Sequence, residues 1–298
     1  MSEKNTVVNH YDTVAASYHE QYDRDMLYDV TKVYPANYFR LQMLLNSFVT
    51  KNIKKVVEIG VGEGTPLVTL GKAGIDIWGF DVSKEMVKKS QENMIKSGQD
   101  PDHIFLADIQ DSTSYVHCLK DGLFDGLIAM GVLPHVQNDD LVLENMASMV
   151  KKGGSVFIEF RNKLFSLFSQ NRHTVDFIMN DLLGDVSDEM KQYVEEDLKS
   201  RLRTDMPKIR DKVQGTDKPG YDAILSKFHN PFEVIELFKK HNFKDIKLLW
   251  YHYHPAMPYL SEKDPELFRR EAIKLEHEPS NWRGLFLCSA FVIEAVKK

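Results

Sequence analysis

Three acidic residues and a run of glycines carry the most legible chemistry in this chain of 298 residues. Glu58 lies in the short β-branched run Lys55-Val-Val-Glu-Ile, which ends in Gly60-Val-Gly62-Glu-Gly64. Glycines between a strand and a helix let the backbone turn tightly and approach a ligand with no Cβ in the way. Their spacing is G-x-G-x-G, not the G-x-G-x-x-G of dinucleotide sites, and Lys72, followed by Ala73, is too far on to be a Walker lysine. A carboxylate two residues before such a turn repels a pyrophosphate but favours a ligand carrying an ammonium or sulfonium. Asp81 closes the next strand, where a carboxylate accepts both hydroxyls of a ribose. Asp108 ends a third in Leu106-Ala-Asp-Ile109, placed to accept from an adenine amino group. Each acid alone is explained as well by a helix cap. At the tips of three successive strands, together they outline one cleft.

The elements that must position these residues alternate. Strands are expected at Lys55–Gly60, Asp76–Asp81, His103–Ala107, Phe124–Met130 and Ser155–Phe160. Between them lie a helix capped at Thr65 with Pro66 at its first position, one from Lys84 to about Ile95, and one over Asp139–Val150. This rhythm predicts an α/β fold with a mostly parallel sheet. It breaks after Phe160: residues 162–230 hold helical stretches at Leu164–Leu183 and Ser187–Leu202, then a Gly/Pro/Lys-rich connector. It resumes with a helix over Pro231–Lys240 and strands at Asp245–Tyr251 and Leu285–Glu294. The division is a helical N-terminal cap (1–50), an α/β core (51–161 and 231–298) and a helical insertion (162–230). The insertion leaves the carboxyl end of a strand, where open sheets bind ligands, and so reads as a lid; a plain packing layer is the alternative.

Composition narrows the class. With 38 basic and 44 acidic residues the net charge is −6, against a general nucleic-acid binder. The two cysteines, Cys118 and Cys288, suit a reducing cytoplasm and form no thiolate metal set. No signal peptide and no membrane span is read, so a cytoplasmic protein is expected.

Residues 51–161 resemble the class I S-adenosylmethionine-dependent methyltransferases, and 231–298 do so loosely. The resemblance rests on Val56-Val-Glu-Ile-Gly-Val-Gly-Glu-Gly64, Asp81, the pair Ala107-Asp108, Phe124–Met130 leading into Leu133-Pro-His135, and the turn Val150-Lys-Lys-Gly153-Gly154. Tyr11-Asp and Ala15-Ala-Ser-Tyr18 look like the helix that family members fold over the cofactor. The family implies a Rossmann-like open sheet of seven strands, the last antiparallel, flanked by helices. It implies S-adenosylmethionine as cofactor. Gly60, Gly62 and Gly64 would pass under its methionine portion, with Glu58 reaching the ammonium indirectly. Asp81 would hold the ribose, and Val82 or Met86 would cover the adenine. Asp108 and the Ile109 backbone would read the adenine edge, Met130 and Gly131 would touch the methionine chain, and Tyr11 and Tyr18 would close the site.

Methyl transfer is an in-line displacement at carbon, needing a base only where the acceptor keeps its proton. His135 is the first candidate base, and for a sugar hydroxyl His229 is the alternative. Arg161, Arg172 and His229 are candidate acceptor contacts, while Asn230 with Glu233 reads as a helix cap. His252 and His254 share a strand face with Trp250, opposite Tyr251 and Tyr253, and no metal site is expected there. Short segments at Arg161–Ser166, Asn171-Arg172, Phe228–Pro231 and Tyr251–Pro255 look similar to methyltransferases of surface-glycan biosynthesis, which implies a sugar or sugar-nucleotide hydroxyl as acceptor. The expected partner is a small molecule, with no nucleic acid and no membrane. A nicotinamide-dependent oxidoreductase and a non-catalytic nucleoside-binding scaffold are the alternatives.

Overall fold

The structure is a computed structural model that describes residues 3–14, 22 and 24–298. Seven strands form one sheet: β1 (Lys55–Ile59), β2 (Asp76–Asp81), β3 (Ile104–Leu106), β4 (Phe124–Ala129), β5 (Val150–Arg161), β6 (Phe243–Tyr253) and β7 (Cys288–Lys297). Their order is β3-β2-β1-β4-β5-β7-β6. The first five run parallel, and β7 is antiparallel to both β5 and β6. The Rossmann-like α/β expectation, with its reversed last strand, is met.

Consecutive apolar residues explain the layers. Val56, Ile128, Phe157 and Val292 pack on one face with helices α2 (Ala36–Lys51), α3 (Thr65–Lys72) and α4 (Lys84–Lys96). Val57, Leu127, Ile158 and Ile293 pack on the other with the helices Asp139–Met149 and Pro231–Lys240. Strands buried on both sides read as unbroken apolar runs because every side chain has a core to enter. The N-terminal helix α1 (Glu3–Val14) touches α4 and lies over the carboxyl ends of the strands through Tyr11.

Several elements differ from expectation. The strand predicted at Ser155 starts at Val150, because Val150 pairs with Phe124 and the Lys-Lys-Gly-Gly segment is carried as an irregularity before Ser155 pairs with Gly126. The predicted strand at Leu285 opens only at Cys288, since Gly284–Leu287 forms a helical turn. A helix over Pro265–Leu275, capped by Asp264, lies where none was anticipated. The long helix expected at Leu164–Leu183 is broken at Gln170, which has φ 48°, and restarts on an Asn171 capping box. The insertion closes at its base, where Lys163 N donates to His229 O at 3.0 Å and His229 N to Arg161 O at 2.8 Å.

The start of α3 is also displaced. Gly64, not Thr65, is the cap residue, with φ +87°. A Cβ there would meet Ser90 Oγ of α4 at 2.3 Å. The capping oxygen comes from Glu63, which accepts from Thr65 N at 3.1 Å and from Asn93 Nδ2 at 3.0 Å. Gly64→Ala is therefore expected to cost roughly 2–4 kcal/mol, left-handed backbone strain plus overpacking. Gly74→Ala, also at positive φ but with nothing within 4 Å of the new methyl, should cost only about 1–2 kcal/mol. Urea midpoints of the two variants measure the difference. Equal losses would show that the Ser90 contact is relieved at no cost.

Candidate active site

The sheet order reverses between β1 and β4, and in open α/β sheets the crevice outside the carboxyl ends at such a point receives the ligand. A cavity opens there. Its walls include Glu58, Gly60, Gly62, Asp81, Val82 and Met86 from the first two strand ends. Asp108, Ile109, Met130, Gly131 and His135 come from the next two, and Tyr11 reaches in from α1. Of the residues proposed for a cofactor, Gly64 alone among the described ones stands outside the lining: it packs α3 on α4. Tyr18 lies outside the described residues.

The turn after β1 is held open by backbone geometry. Gly60 has φ +68°, and a Cβ would meet Val132 Cγ2 at 2.5 Å. Gly62 N donates to Asp81 Oδ2 at 3.0 Å, and Ser83 N to Asp81 Oδ1 at 2.9 Å. Burial pushes the Asp81 carboxyl up, and those N–H groups pull it back. The pair fixes the carboxylate at the rim while each oxygen keeps a lone pair for a further donor.

Glu58 is only 2% exposed, and its Oε2 has no hydrogen-bond partner. Burial raises its pKa well above the ordinary value; Arg40 opposes the shift, and Glu63 and Asp81 add to it. A buried polar oxygen without a partner is costly, so it marks a place where a donor is missing. Arg40 also lines the cavity. It forms a buried ion pair with Glu159, and Nη2 donates to Tyr22 OH at 3.3 Å. Arg40 escaped notice in the sequence. The available signal was a guanidinium beside Leu41 and one turn before Leu44, on the apolar face of a helix that must pack on the sheet.

His135 joins three elements. Its Nδ1 faces the carbonyl of Leu225 at 2.6 Å, so Nδ1 carries the proton, and Nε2 accepts from Tyr11 OH at 2.9 Å. Burial, with the charge of Arg161 adding to it, lowers its pKa to about 4. The imidazole is neutral at pH 7, with its accepting nitrogen already engaged. Leu225 itself lines the cavity, so the end of the insertion supplies part of the wall.

The proposed acceptor contacts separate. Arg161 ends β5 beside the cavity, with its guanidinium carbon 4.5 Å from the ring centre of Tyr221. Arg172 ties the insertion to itself, with Nε donating to Pro207 O at 3.2 Å and Nη2 3.9 Å from Asp222. His229 does not keep a free side chain. It is buried behind β5, edge-on to Phe160 at 5.0 Å, with Nε2 bonded to Asp139 Oδ2 at 3.1 Å. Phe160 and Arg161 point to opposite sheet faces, which puts His229 on the far side from Arg161. Asn230 is the expected cap, accepting from Phe232 N at 3.1 Å.

The alternation expected at Trp250–His254 fails. His252 has φ +59°, so Trp250 and Tyr253 enter one core cluster and Tyr251 the other. Glu276 anchors this kink by accepting from His252 N at 3.3 Å, Tyr253 N at 2.9 Å and Tyr34 OH at 2.8 Å. Among the described residues no group of three or more His, Cys, Asp or Glu is arranged to hold a metal, and no helix is long and apolar enough to cross a membrane.

Comparison with known proteins agrees with this geometry. Residues 57–158 match the family described as methyltransferase domain. The ubiquinone biosynthesis O-methyltransferase of Pectobacterium atrosepticum is 28% identical over 110 residues, 37% of this chain and 44% of that protein. The one of Methylococcus capsulatus is 25% identical over 163 residues, 55% of this chain and 65% of that protein. The chain thus spans less than half the length of the first of these relatives. Among solved structures, phosphoethanolamine N-methyltransferase 2 of Haemonchus contortus, in complex with S-adenosyl-L-methionine, superposes with a TM-score of 0.52 at 16% identity, covering 100% of this chain and 60% of that one. A SAM-dependent methyltransferase from Thermotoga maritima gives 0.52 at 15% identity, covering 97% and 98%. At such identities the likeness is one of fold. These relatives are methyltransferases and lend the oxidoreductase alternative no support. Residues 57–158 thus match a methyltransferase domain, and the chain as a whole has the fold of S-adenosylmethionine-dependent methyltransferases of known structure.

Proposed function

We propose that this protein transfers a methyl group from S-adenosylmethionine to an oxygen of a small polar molecule, with a sugar or sugar-nucleotide hydroxyl as the acceptor class. The observation that carries the reading is the unpartnered Oε2 of Glu58, in the wall of a cavity that also presents Asp81 and Asp108. The names of the relatives support methyl transfer to oxygen, and the bound donor in the Haemonchus enzyme supports the cofactor.

When bound, the cofactor supplies a methyl group on a cationic sulfur. Glu58 would face its ammonium, directly or through a water, and Arg40 its carboxylate, next to the bare backbone of Gly60 and Gly62. Asp81 would take the ribose hydroxyls, Val82 and Met86 the adenine faces, and Asp108 with the Ile109 backbone the adenine edge. Met130 and Gly131 would border the methionine chain. The ring of Tyr11 would lie near the sulfonium, a cation–π contact of about 0.5–2 kcal/mol. Rigid strand ends holding donor and acceptor in line can supply about 7–11 kcal/mol of the barrier.

The base is His135, acting with Tyr11. An acceptor hydroxyl would pass its proton to Tyr11 Oη as the Tyr11 proton moves to His135 Nε2. The Leu225 carbonyl holds Nδ1–H and stabilises the imidazolium that forms.

Three outcomes test this. S-Adenosylhomocysteine should raise the melting temperature of the protein, and Asp81→Ala should weaken that binding at least tenfold. Methyl-labelled S-adenosylmethionine with a metabolite extract should give a labelled product; binding without label in any fraction would instead fit the non-catalytic scaffold. A histidine of ordinary pKa would give a rate inflection near 6.5. His135, held near 4 in the free protein, should give a flat kcat/KM from pH 8 to 5.5 that His135→Ala lowers throughout.

Glu58 gives a separate prediction from linkage. Its folded-state pKa is raised, so below about pH 4.5 both states are protonated and its burial is tolerated. As pH rises past the unfolded value the unfolded state loses its proton first, and stability falls. Glu58→Gln should therefore stabilise the ligand-free protein at pH 8, leave it nearly unchanged at pH 4.5, and weaken binding of S-adenosylhomocysteine at pH 8. Calorimetry at the two pH values decides. A Gln variant less stable at pH 8 would show the carboxylate to be a structural asset.

A further inference from the structure

Arg161 is the last residue of β5, at the carboxyl edge of the sheet. Its guanidinium carbon lies 4.5 Å from the ring centre of Tyr221 and 4.9 Å from that of Phe228, and Nη1 donates to Ser226 Oγ at 2.5 Å. All three partners come from the end of the insertion, and none is negative. Glu159, two residues earlier on the same strand face, is committed to Arg40. Among the described residues no carboxylate forms an ion pair with Arg161. A half-buried cation has lost much of its hydration, and aromatic faces replace only part of it. The missing counter-charge has an obvious source, because the cation adjoins the cavity: the Tyr221 ring stands 5.8 Å from that of His135, and Leu225, also in the wall, precedes Ser226.

We infer that Arg161 is the recognition point for an anionic group, a carboxylate or phosphate, on the methyl acceptor. The inference rests on the cavity being the S-adenosylmethionine site. With rings over the guanidinium, its N–H edge remains to make paired hydrogen bonds with two oxygens of one anion, a match that a lysine cannot reproduce. The charge also reaches His135, whose pKa is lowered first by burial and further by Arg161. An anion seated on Arg161 cancels that second contribution, so the acceptor makes His135 a better base as it binds. An acidic sugar or a sugar nucleotide carries such a group.

The test uses protein saturated with S-adenosylhomocysteine and two probes, inorganic phosphate and acetate, at constant ionic strength. At least one should raise the melting temperature of the wild type. Arg161→Gln should abolish the shift and Arg161→Lys should retain less than half of it. Phosphate alone acting assigns a phosphorylated acceptor, and acetate alone a carboxylated one. Because Arg161 is not in the cofactor wall, both variants should keep the wild-type shift with S-adenosylhomocysteine, which also shows that they fold. Equal anion shifts in wild type and Arg161→Gln, or none in the wild type, overturn the inference while leaving the cofactor reading intact. Failure of S-adenosylhomocysteine to stabilise the wild type overturns the cofactor reading instead. In the labelled extract, product should elute with the anionic fraction and fall at least tenfold with Arg161→Gln; label confined to neutral compounds would also overturn the anion site.

Discussion

The organising constraint is a carboxylate kept out of water without a full complement of partners. Glu58 sits on the α2-facing side of β1, where its neighbours on the sheet are Val56, Ile128 and Phe157. Replacing one aliphatic residue of that layer with an acid is costly unless a donor arrives. Arg40 comes across from α2 but is shared with Glu159, and the nearby acids Glu63 and Asp81 make ionisation harder. Glu63 and Asp81 are themselves occupied in building the loop: one caps α3, and the other ties Gly62 to Ser83. The cleft is thus rigid and acidic before any ligand enters. That is the preorganisation a cationic sulfur compound would exploit.

How far the sequence discloses this depends on how local each determinant is. Glu58, the glycine turn, Asp81 and Asp108 were legible because parallel strands put consecutive strand ends at one edge, so sequence order alone gathers them. Gly64 was misread because its partner, Ser90, lies on the next helix, and glycine spacing does not say whether a missing Cβ makes room for a ligand or for a neighbour. Arg40 was hidden for a related reason. Its importance is visible only once α2 is laid over β1 and β5, two strands separated in the chain by about 90 residues.

The acceptor side was less legible still. The surroundings of Arg161 are supplied by Tyr221, Ser226 and Phe228, more than 59 residues away, after the insertion has gone out and returned. His229 looked available because its bridge to Asn162, just past the end of β5, is not visible in the sequence; one step in register decides whether a side chain faces the cavity or the core. At His252 the strand period itself fails. A left-handed residue there is paid for by Glu276, which gathers two backbone N–H groups and a tyrosine hydroxyl from 24 residues on along the chain and from its N-terminal part. The helix that delivers Glu276, Pro265–Leu275, was not foreseen, so neither was the kink.

His135 shows how the two halves of the site become one device. Its ring nitrogens face Tyr11 of α1 on one side and the Leu225 carbonyl of the insertion on the other, and His10 Nδ1 lies 2.9 Å from the Pro219 carbonyl, binding α1 to the insertion directly. The N-terminal helix and the insertion therefore both supply wall to the cavity, Tyr11 from one and Leu225 from the other, and are bonded to each other. Either could withdraw only by breaking a hydrogen bond at the tip of β4 and exposing the Tyr221 ring that both elements touch, through His10 and through the chain itself. On the proposed function this coupling has a chemical consequence: the group that would take the acceptor's proton is assembled only when both covers are in place. On the same reading, closing the pair over a bound donor would drive water from the cleft that Glu58 lines, and electrostatic contacts there strengthen as water leaves.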